Sequence, residues 1–349
     1  MRRAWVAGLL ALMAASPPDK GGLRLKKVDV TEPKQTALIA FDGTTEVLYI
    51  SSILRPTQKT RMLEILPLPG EPTADLADPK VIERAAGVYN ARVQKELDER
   101  TRARRRENLR ALICTGVFAL LVCVSVIHFL RRRRYLSMLV SVILLGISWM
   151  LTVPTFLAAQ RSGFAATTVE ILSQQQLGPH ALTIVKTREP ADISKWVGEL
   201  FQKEGGDPAA FDQEWKNLLD SYVRNGCPYF AVDLIDADPA SGPIAPIRYT
   251  FATKEPWFPL RISSRGRGSS EVLLMVLVPK DSRLRPSYEA FREASYQMRV
   301  GFDLTESEVR SIDPVLADRL KSCAPRLHAV QFASALDELK QDFVLRPVD

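Results

Sequence analysis

The chain has 349 residues, enough for one large domain or two smaller ones, and its 47 basic against 40 acidic residues give a net charge of +7. The excess is local, because six arginines lie between residues 100 and 110 and four more between residues 131 and 134, which leaves 37 basic against 40 acidic residues elsewhere. Both arginine clusters flank an apolar segment, and no basic stripe interleaved with aromatic residues runs along the remainder. This distribution argues against a nucleic-acid-binding protein.

The first 16 residues have the pattern of a secretory signal peptide. Arg2 and Arg3 are followed by an apolar stretch over residues 4–15 that is too short to span a bilayer. Small residues at Ala14, Ala15 and Ser16 fit a cleavage site. Residues 1–16 are therefore expected to direct export, and the alternative is an N-terminal helix buried in a core.

Two long apolar runs predict a pair of transmembrane helices. Residues 111–130 and 136–159 contain no Asp, Glu, Lys or Arg, and each reaches the ~20 residues that cross the hydrocarbon layer. The short connection between them implies an antiparallel hairpin over residues 111–159 that returns the chain to its starting side. The alternative is a pair of helices buried in a protein core.

The arginines around this hairpin set its expected orientation. Export would place both flanking parts outside the cytoplasm and the connecting loop inside, as positively charged loops prefer, whereas the inverted arrangement would export that loop. The cytoplasmic loop would contain Arg131, Arg132, Arg133 and Arg134. The arginines expected to contact the lipid bilayer beside the first span are Arg102, Arg104, Arg105 and Arg106. The expected location is the cytoplasmic membrane, multi-pass, with the main domain extracytoplasmic.

The segments on either side of the hairpin predict one extracytoplasmic domain in two parts, residues 23–78 and 160–349, with residues 79–110 as an amphipathic stalk helix. Before the hairpin, apolar runs around Asp42 and Gly43 predict a β-hairpin, and a third strand ends at the prolines of the following Pro-Leu-Pro-Gly. Three strands cannot bury both faces alone, so the sheet is expected to be completed by strands that follow the insertion.

After the hairpin, the sequence predicts further strands and several helices. Residues 168–187 indicate two strands, and the uninterrupted apolar run over 272–278 indicates a central strand. One helix is expected to be capped by Asp192, a second to run from its N-cap Asp207 to Gly226, and Thr305 with Glu308 to form a capping box. The predicted fold class is α+β, with a mixed or antiparallel sheet and packed helices, interrupted by the two-helix transmembrane hairpin.

Cys227 is the one candidate for side-chain chemistry, and three roles remain open for it. It would act as a nucleophile if folding brought His180 or His328 beside it, it would form a disulfide with Cys323 in an oxidising compartment, or it would be a small buried residue. No H-E-x-x-H or C-x-x-C spacing occurs, so no catalytic, cofactor-binding or metal-binding residue is predicted.

Asp233, Asp236 and Asp238 form a second pattern of interest. Their spacing resembles part of a calcium loop, but the glycine of that loop is missing, because Ser241 stands at its position. The favoured interpretation is a solvated strand end followed by a turn.

Several stretches of the chain resemble a known bacterial family. They are ALIAFDGTTEVLYI with the later LPLPGEP, VEILSQQQLGPHALTIVKTREPADISKWV, YVRNGCPYFAVDLIDA, PIRYTFATKEPWFPLRIS and the terminal FVLRP. In this order they are similar to a family of exported, membrane-anchored proteins known only as a domain of unknown function. The chain lacks the Cys-Gly-Gly segment that family members tend to carry after the signal, and an aromatic residue before the proline pair. The resemblance implies location and fold, and it transfers no catalytic residues.

Together these observations predict a non-catalytic binding or interaction domain near the outer face of the cytoplasmic membrane. Its expected partner is an envelope protein or a cell-wall component. The alternatives are an extracytoplasmic thiol-dependent hydrolase and a sensory or assembly subunit of a membrane complex.

Overall fold

The computed structural model describes residues 22–25, 30–31, 34–52, 55–56, 59–102, 169–238, 244–265, 269–282, 284–286, 295–298, 301–335 and 339–347. The chain divides into two compact units, residues 1–90 with 163–349, and residues 91–162. All the described strands belong to the first unit. Of the second unit, residues 91–102 are described, and they are helical.

A five-stranded antiparallel sheet contains strands from both parts of the first unit. Its central strand β10 pairs with β6 on one side and with β9 on the other, so a strand before residue 91 is joined to strands after residue 162. In order across the sheet, the strands are β1 (Gly22–Arg24), β6 (Thr60–Leu68), β10 (Tyr229–Ala237), β9 (His180–Lys186) and β8 (Glu170–Leu177).

An eight-stranded mixed sheet contains the remaining long strands. The pair β3 and β13 is parallel, and the other pairs are antiparallel. In order across the sheet, the strands are β15 (Ser295–Met298), β17 (Pro325–Ala335), β13 (Ser269–Pro279), β3 (Lys34–Phe41), β4 (Thr45–Ser52), β11 (Ile247–Ala252) and β7 (Thr73–Leu76), and β16 (Phe302–Asp303) also pairs with β17.

Two small sheets and several helices complete the described fold. One small sheet has the order β12 (Trp257–Phe258), β18 (Phe343–Pro347) and β14 (Leu284–Pro286), and the other pairs β2 (Val30–Thr31) with β5 (Arg55–Pro56). The α-helices are α1 (residues 81–102), α2 (Pro190–Lys203), α3 (Gln213–Arg224), α4 (Glu306–Ile312) and α5 (Pro314–Arg319), and 3₁₀ segments span Pro208–Ala210 and Arg261–Arg265.

Both faces of the eight-stranded sheet are buried. One face contributes side chains such as Ile39, Leu48 and Phe251 to the main hydrophobic core, which also includes residues of the five-stranded sheet and of helices α2 and α3. On the opposite face, the hydroxyl of Tyr49 donates a 3.0 Å hydrogen bond to Asp313 at the start of α5. Burial on both faces explains why β3, β4 and β13 are almost continuously apolar rather than alternating.

The sequence-based prediction of the strand layout is confirmed in three respects. Strands β3 and β4 form the expected hairpin around Gly43, whose φ of 110° is readily adopted only by glycine. The apolar run over 272–278 lies in β13, between β17 and β3, as expected of a central strand. Both large sheets are assembled from strands that precede and follow residues 91–162.

The predicted fold class, an α+β domain with a single sheet interrupted by a transmembrane hairpin, and the predicted multi-pass membrane location are wrong. The described strands form two large sheets and two small ones, with few helices. No helix within the described ranges is both long and apolar enough to cross a membrane. Helices α2 to α5 have 6 to 14 residues, fewer than the ~20 that a span requires, and residues 94–102 of α1 are almost all exposed and rich in charge. The predicted spans, 111–130 and 136–159, lie outside the described residues, as do the signal peptide at 1–16 and Arg131, Arg132, Arg133 and Arg134.

Two predicted helix boundaries also differ from the structure. Helix α2 begins at Pro190, before the expected cap Asp192, because proline is well placed in a first helical turn. The helix expected from Asp207 is divided, since Asp207 caps the short 3₁₀ segment and Asp212 caps a new helix by accepting a hydrogen bond from the Trp215 amide. The capping box of Thr305 and Glu308 is confirmed at the start of α4.

Candidate functional site

A buried charged pair joins strands β9 and β10. Asp233 lies opposite Leu182 in the middle of an apolar strand, and His180 begins the neighbouring strand opposite Ile235. Because the two residues lie on one face of the sheet, two positions apart, their side chains meet diagonally. His180 Nδ1 lies 2.5 Å from Asp233 Oδ2, and each side chain is only 5% exposed.

The second ring nitrogen of His180 is also engaged. Nε2 lies 3.0 Å from the carbonyl oxygen of Ala245, which precedes β11. Since a carboxylate and a carbonyl both accept hydrogen bonds, this geometry favours an imidazole that is protonated on both nitrogens. Burial alone would lower the pKa of His180, but Asp233, the Ala245 carbonyl and the charge of Glu64 raise it. An imidazole held in this way is not available as a general base.

A small cavity of about 40 Å³ lies beside this pair, and both large sheets contribute to its walls. Its polar lining consists of Gln35, Glu64, His180, Asp233, Tyr249 and Ser263. Tyr249 is buried, and its pKa is raised by burial and by the charges of Asp233 and Glu64. Pockets for small ligands are typically ~300 Å³ or more, whereas one water needs only ~10–15 Å³. The cavity therefore has room for ordered water but not for a metabolite.

The structure corrects the interpretation of Asp233 as part of a solvated strand end. Asp233 is 4% exposed and paired with His180. Asp236 and Asp238 are more exposed and lie 3.1 Å from Arg61 and 3.8 Å from Lys59, so the three carboxylates have separate partners. The available signal was the position of Asp233 itself, because a charged residue flanked on both sides by apolar strand residues is almost always paired when buried.

Cys227 lies in a different polar cluster, at the opposite end of β10 from His180. Cys227 precedes Tyr229, the first residue of β10, whereas His180 lies opposite Ile235. The six residue steps from Tyr229 to Ile235 correspond to ~20 Å along the strand. Burial raises the pKa of the Cys227 thiol, and the nearby Asp342 raises it further, although Arg261 acts in the opposite direction. The surroundings of this thiol therefore disfavour the reactive thiolate.

Asp342 connects this cluster to the C-terminal strand β18. It accepts hydrogen bonds from the Tyr222 hydroxyl at 2.7 Å and from the Arg261 amide at 2.8 Å. The Arg261 guanidinium lies over the Tyr222 ring, 4.6 Å from its centroid, and donates a 2.6 Å bond to Ser221. Burial raises the pKa of Asp342 to about 6, while these donors act to lower it. The cluster thus fastens β18 to α3.

The structure describes both cysteines and one of the arginines that the sequence analysis singles out as site residues. Cys227 is buried and Cys323 is partly buried, and no disulfide joins the two thiols in this structure. Their pairing under oxidising conditions stays a prediction. Cys323 Sγ contacts the carbonyl oxygen of Leu320 at 3.5 Å. Arg102 is exposed in α1, and the lipid contact expected of it is untested. Arg104, Arg105 and Arg106 lie outside the described residues.

The strand β8 is the outermost strand of the five-stranded sheet, and its outer edge is unpaired among the described strands. It pairs with β9 and with no other described strand, and every residue along it is exposed or half-buried. Its pairing is regular from Ser173 to Leu177, but the register shifts between Ile171 and Ser173, where Leu172 is bulged. Glu170 is the only charged residue of β8, and the strand lacks the lysines and prolines that commonly protect sheet edges.

Comparison with known proteins identifies the family of this chain. The family model described as "Uncharacterized protein conserved in bacteria (DUF2330)" matches residues 25–319. No curated protein and no solved structure matches the chain. The resemblance to a bacterial domain of unknown function is therefore confirmed, whereas the match gives no support to export or membrane anchoring. Because the match extends over most of the chain, the protein belongs to this family of uncharacterised bacterial proteins.

Proposed function

We propose that the protein is a non-catalytic interaction domain that binds an extended segment of a partner protein along the outer edge of β8. The observation that carries this proposal is the edge itself: eight residues with one charge, exposed or half-buried throughout, and paired on one side only among the described strands. The free backbone amides and carbonyls of such an edge can form a β-ladder with a second polypeptide.

The groups with catalytic potential support a binding role rather than a chemical one. Both ring nitrogens of His180 are engaged by internal acceptors, and Cys227 is buried with a raised pKa, ~20 Å along β10 from that imidazole. The thiol-dependent hydrolase considered from the sequence requires a cleft that holds a reactive thiol beside a histidine. The surroundings of Cys227 give that alternative no support.

The chemistry of β8 narrows the class of partner. Strand addition requires a polypeptide backbone, so a protein is favoured over a cell-wall polymer. Gln174 and Gln176 are exposed and point to the same face of the strand, where they would lie next to alternate residues of an added strand. The amide of Gln174 can donate and accept hydrogen bonds, and that of Gln176, whose Nε2 donates to the Gly178 carbonyl at 2.8 Å, can accept them through its oxygen. These neutral groups favour an extended segment with polar, uncharged side chains and without proline.

The experiment uses a charged peptide as a probe and measures how its affinity for the chain depends on the charge of β8. A fluorescein-labelled octapeptide of alternating lysine and valine is titrated with the full chain and followed by fluorescence anisotropy. One variant carries Gln174→Glu and Gln176→Glu, and another carries Gln174→Lys and Gln176→Lys. Cross-strand charge pairs are worth ~0.2–1 kcal/mol each, so the glutamate variant should bind the probe ~10-fold more tightly than the lysine variant.

Matched controls separate edge binding from general electrostatic attraction. Gln202 and Gln213 are exposed glutamines on α2 and α3, and the same double replacements there change the net charge equally. The control variants should not differ in affinity for the probe. An equal charge effect in the control variants, or absence of saturable binding of the probe to the glutamate variant as a monomer, would refute strand addition at β8.

A further inference from the structure

We propose that the strand accommodated by this edge is β8 of a second copy of the chain, in an antiparallel arrangement centred on Gln175. This inference rests on the proposed function and names the partner of the same edge. It concerns the regular part of the strand, Ser173 to Leu177, since Leu172 is bulged.

The three glutamines at the centre of this run are complementary to themselves, and Ser173 falls opposite Leu177 at its ends. Ser173 is followed by three glutamines and Leu177, so an antiparallel pair centred on Gln175 places Gln175 opposite Gln175 and Gln174 opposite Gln176 in two symmetric pairs. Primary amides both donate and accept hydrogen bonds, and glutamines on adjacent strands can form amide ladders. A register centred nearer to the start of β8 would include the bulge and interrupt the backbone ladder.

The distribution of charge is compatible with this pairing. The run from Ser173 to Leu177 contains no charged residue, and in this register Glu170 falls opposite position 180, beyond the paired run. Two Glu170 side chains are therefore not placed opposite each other, an arrangement that would be unfavourable. Across the edge, the two five-stranded sheets would form one continuous ten-stranded sheet related by a two-fold axis.

The pairing is testable by disulfide trapping with single cysteine substitutions in the full chain. Opposed residues of antiparallel strands have Cα atoms ~4.5–5.5 Å apart, within the range that a disulfide bridges. Gln175→Cys should therefore form a covalent dimer under mild oxidation, and mass spectrometry should identify the peptide linked through position 175.

Two control substitutions test the register. Gln174→Cys is opposite position 176 and two residues away from its own copy, so alone it should form at least ~10-fold less dimer than Gln175→Cys. A mixture of Gln174→Cys and Gln176→Cys chains should form the mixed disulfide. A covalent dimer of Gln175→Cys that exceeds both single controls, together with the mixed disulfide, supports the inference.

Other outcomes overturn it. Equal trapping at positions 174, 175 and 176 would indicate random collision, and no trapping at position 175 would exclude this pairing. If the affinity of the probe peptide still depends on the charge of β8 while no disulfide forms at position 175, the edge binds a different protein. The proposed function then stands without the dimer. If both experiments fail, the proposed function fails as well.

Discussion

The pairing of His180 with Asp233 makes a quantitative prediction about stability. Replacing either residue by leucine leaves the other buried without its partner, and breaking a buried ion pair in this way costs ~3–5 kcal/mol of the free energy of unfolding. That is a large part of the ~5–15 kcal/mol that stabilises a typical domain. The cost should be near the upper end for His180→Leu, because Oδ1 of Asp233 already has no hydrogen-bond partner among the described residues.

The double variant, His180→Leu with Asp233→Leu, should be far less destabilised than the sum of the single variants. Replacing both members of a buried pair by apolar residues is often close to neutral, and the adjacent cavity of about 40 Å³ can accommodate part of the added volume. We expect the double variant to lose ~2 kcal/mol or less, so the double-mutant cycle should give a coupling energy of at least ~4 kcal/mol.

The pH dependence of the same pair has a definite sign. The folded-state pKa of His180 is raised, so its contribution to stability is fully present below the unfolded value of ~6.5 and is lost as pH increases through the folded value. The stability difference between the unsubstituted chain and the double variant should therefore decrease from pH 6 to pH 9. His328→Leu is the matched control, because burial lowers the pKa of His328 to about 4 and its removal should leave this alkaline dependence unchanged.

Urea denaturation followed by tryptophan fluorescence at pH 6, 7.5 and 9 measures both effects. A cost below ~1 kcal/mol for His180→Leu, or additivity of the two single replacements within ~0.5 kcal/mol, would refute a stabilising ion pair between His180 and Asp233. An alkaline decrease that persisted in the double variant would show that another group is responsible.

Two further predictions concern other parts of the fold. Burial raises the pKa of Asp342 to about 6, so the stabilisation from its protonated form is lost as pH rises from ~4 through 6. The variant Asp342→Asn keeps an acceptor for Tyr222 and does not ionise. In urea titrations between pH 4 and 7, its free energy of unfolding should therefore gain on the order of 2 kcal/mol relative to the unsubstituted chain. Gly70→Ala should lower the free energy of unfolding by at least ~2 kcal/mol, because the new Cβ would lie 2.1 Å from the backbone oxygen of Ala252. Gly87→Ala in α1 should instead stabilise the helix by ~0.5–1 kcal/mol, because no atom lies within 4 Å of its new Cβ. Equal effects of the two substitutions in thermal or urea unfolding would contradict this explanation.

Local signals were sufficient to predict several elements of this fold. The turn between β3 and β4 is fixed by Asp42, whose side chain accepts hydrogen bonds from the amides of Thr44 and Thr45 at 2.9 Å each. The α4 capping box likewise depends on residues three positions apart. Such interactions are encoded within a few residues, so the sequence predicts them without knowledge of the tertiary fold.

The arrangement of the buried polar residues depends on contacts between segments that are distant in sequence. Glu46 looks like an ordinary polar strand residue, yet it is fully buried and accepts a 2.7 Å hydrogen bond from the amide of Trp257, 211 positions away. The engagement of His180 by Asp233 and by Ala245 follows from strand register and from the path of the chain before β11. The apolar neighbours of Asp233 are a sequence signal for a buried carboxylate that the interpretation as a solvated strand end overlooks, and they do not identify its partner.

The contrast between the interior and the edge determines which experiment is most informative. Inside the domain, His180, Asp313 and Glu46 form hydrogen bonds between segments that are distant in sequence, so replacing one of them alone will change stability whether or not the protein binds anything. At β8, Gln174 and Gln176 are exposed, so changing their charge should leave the core intact while altering any ladder formed at the edge. A change in binding without a change in unfolding free energy is therefore the result that separates an interaction surface from a structural strand, and only substitutions at this edge can produce it.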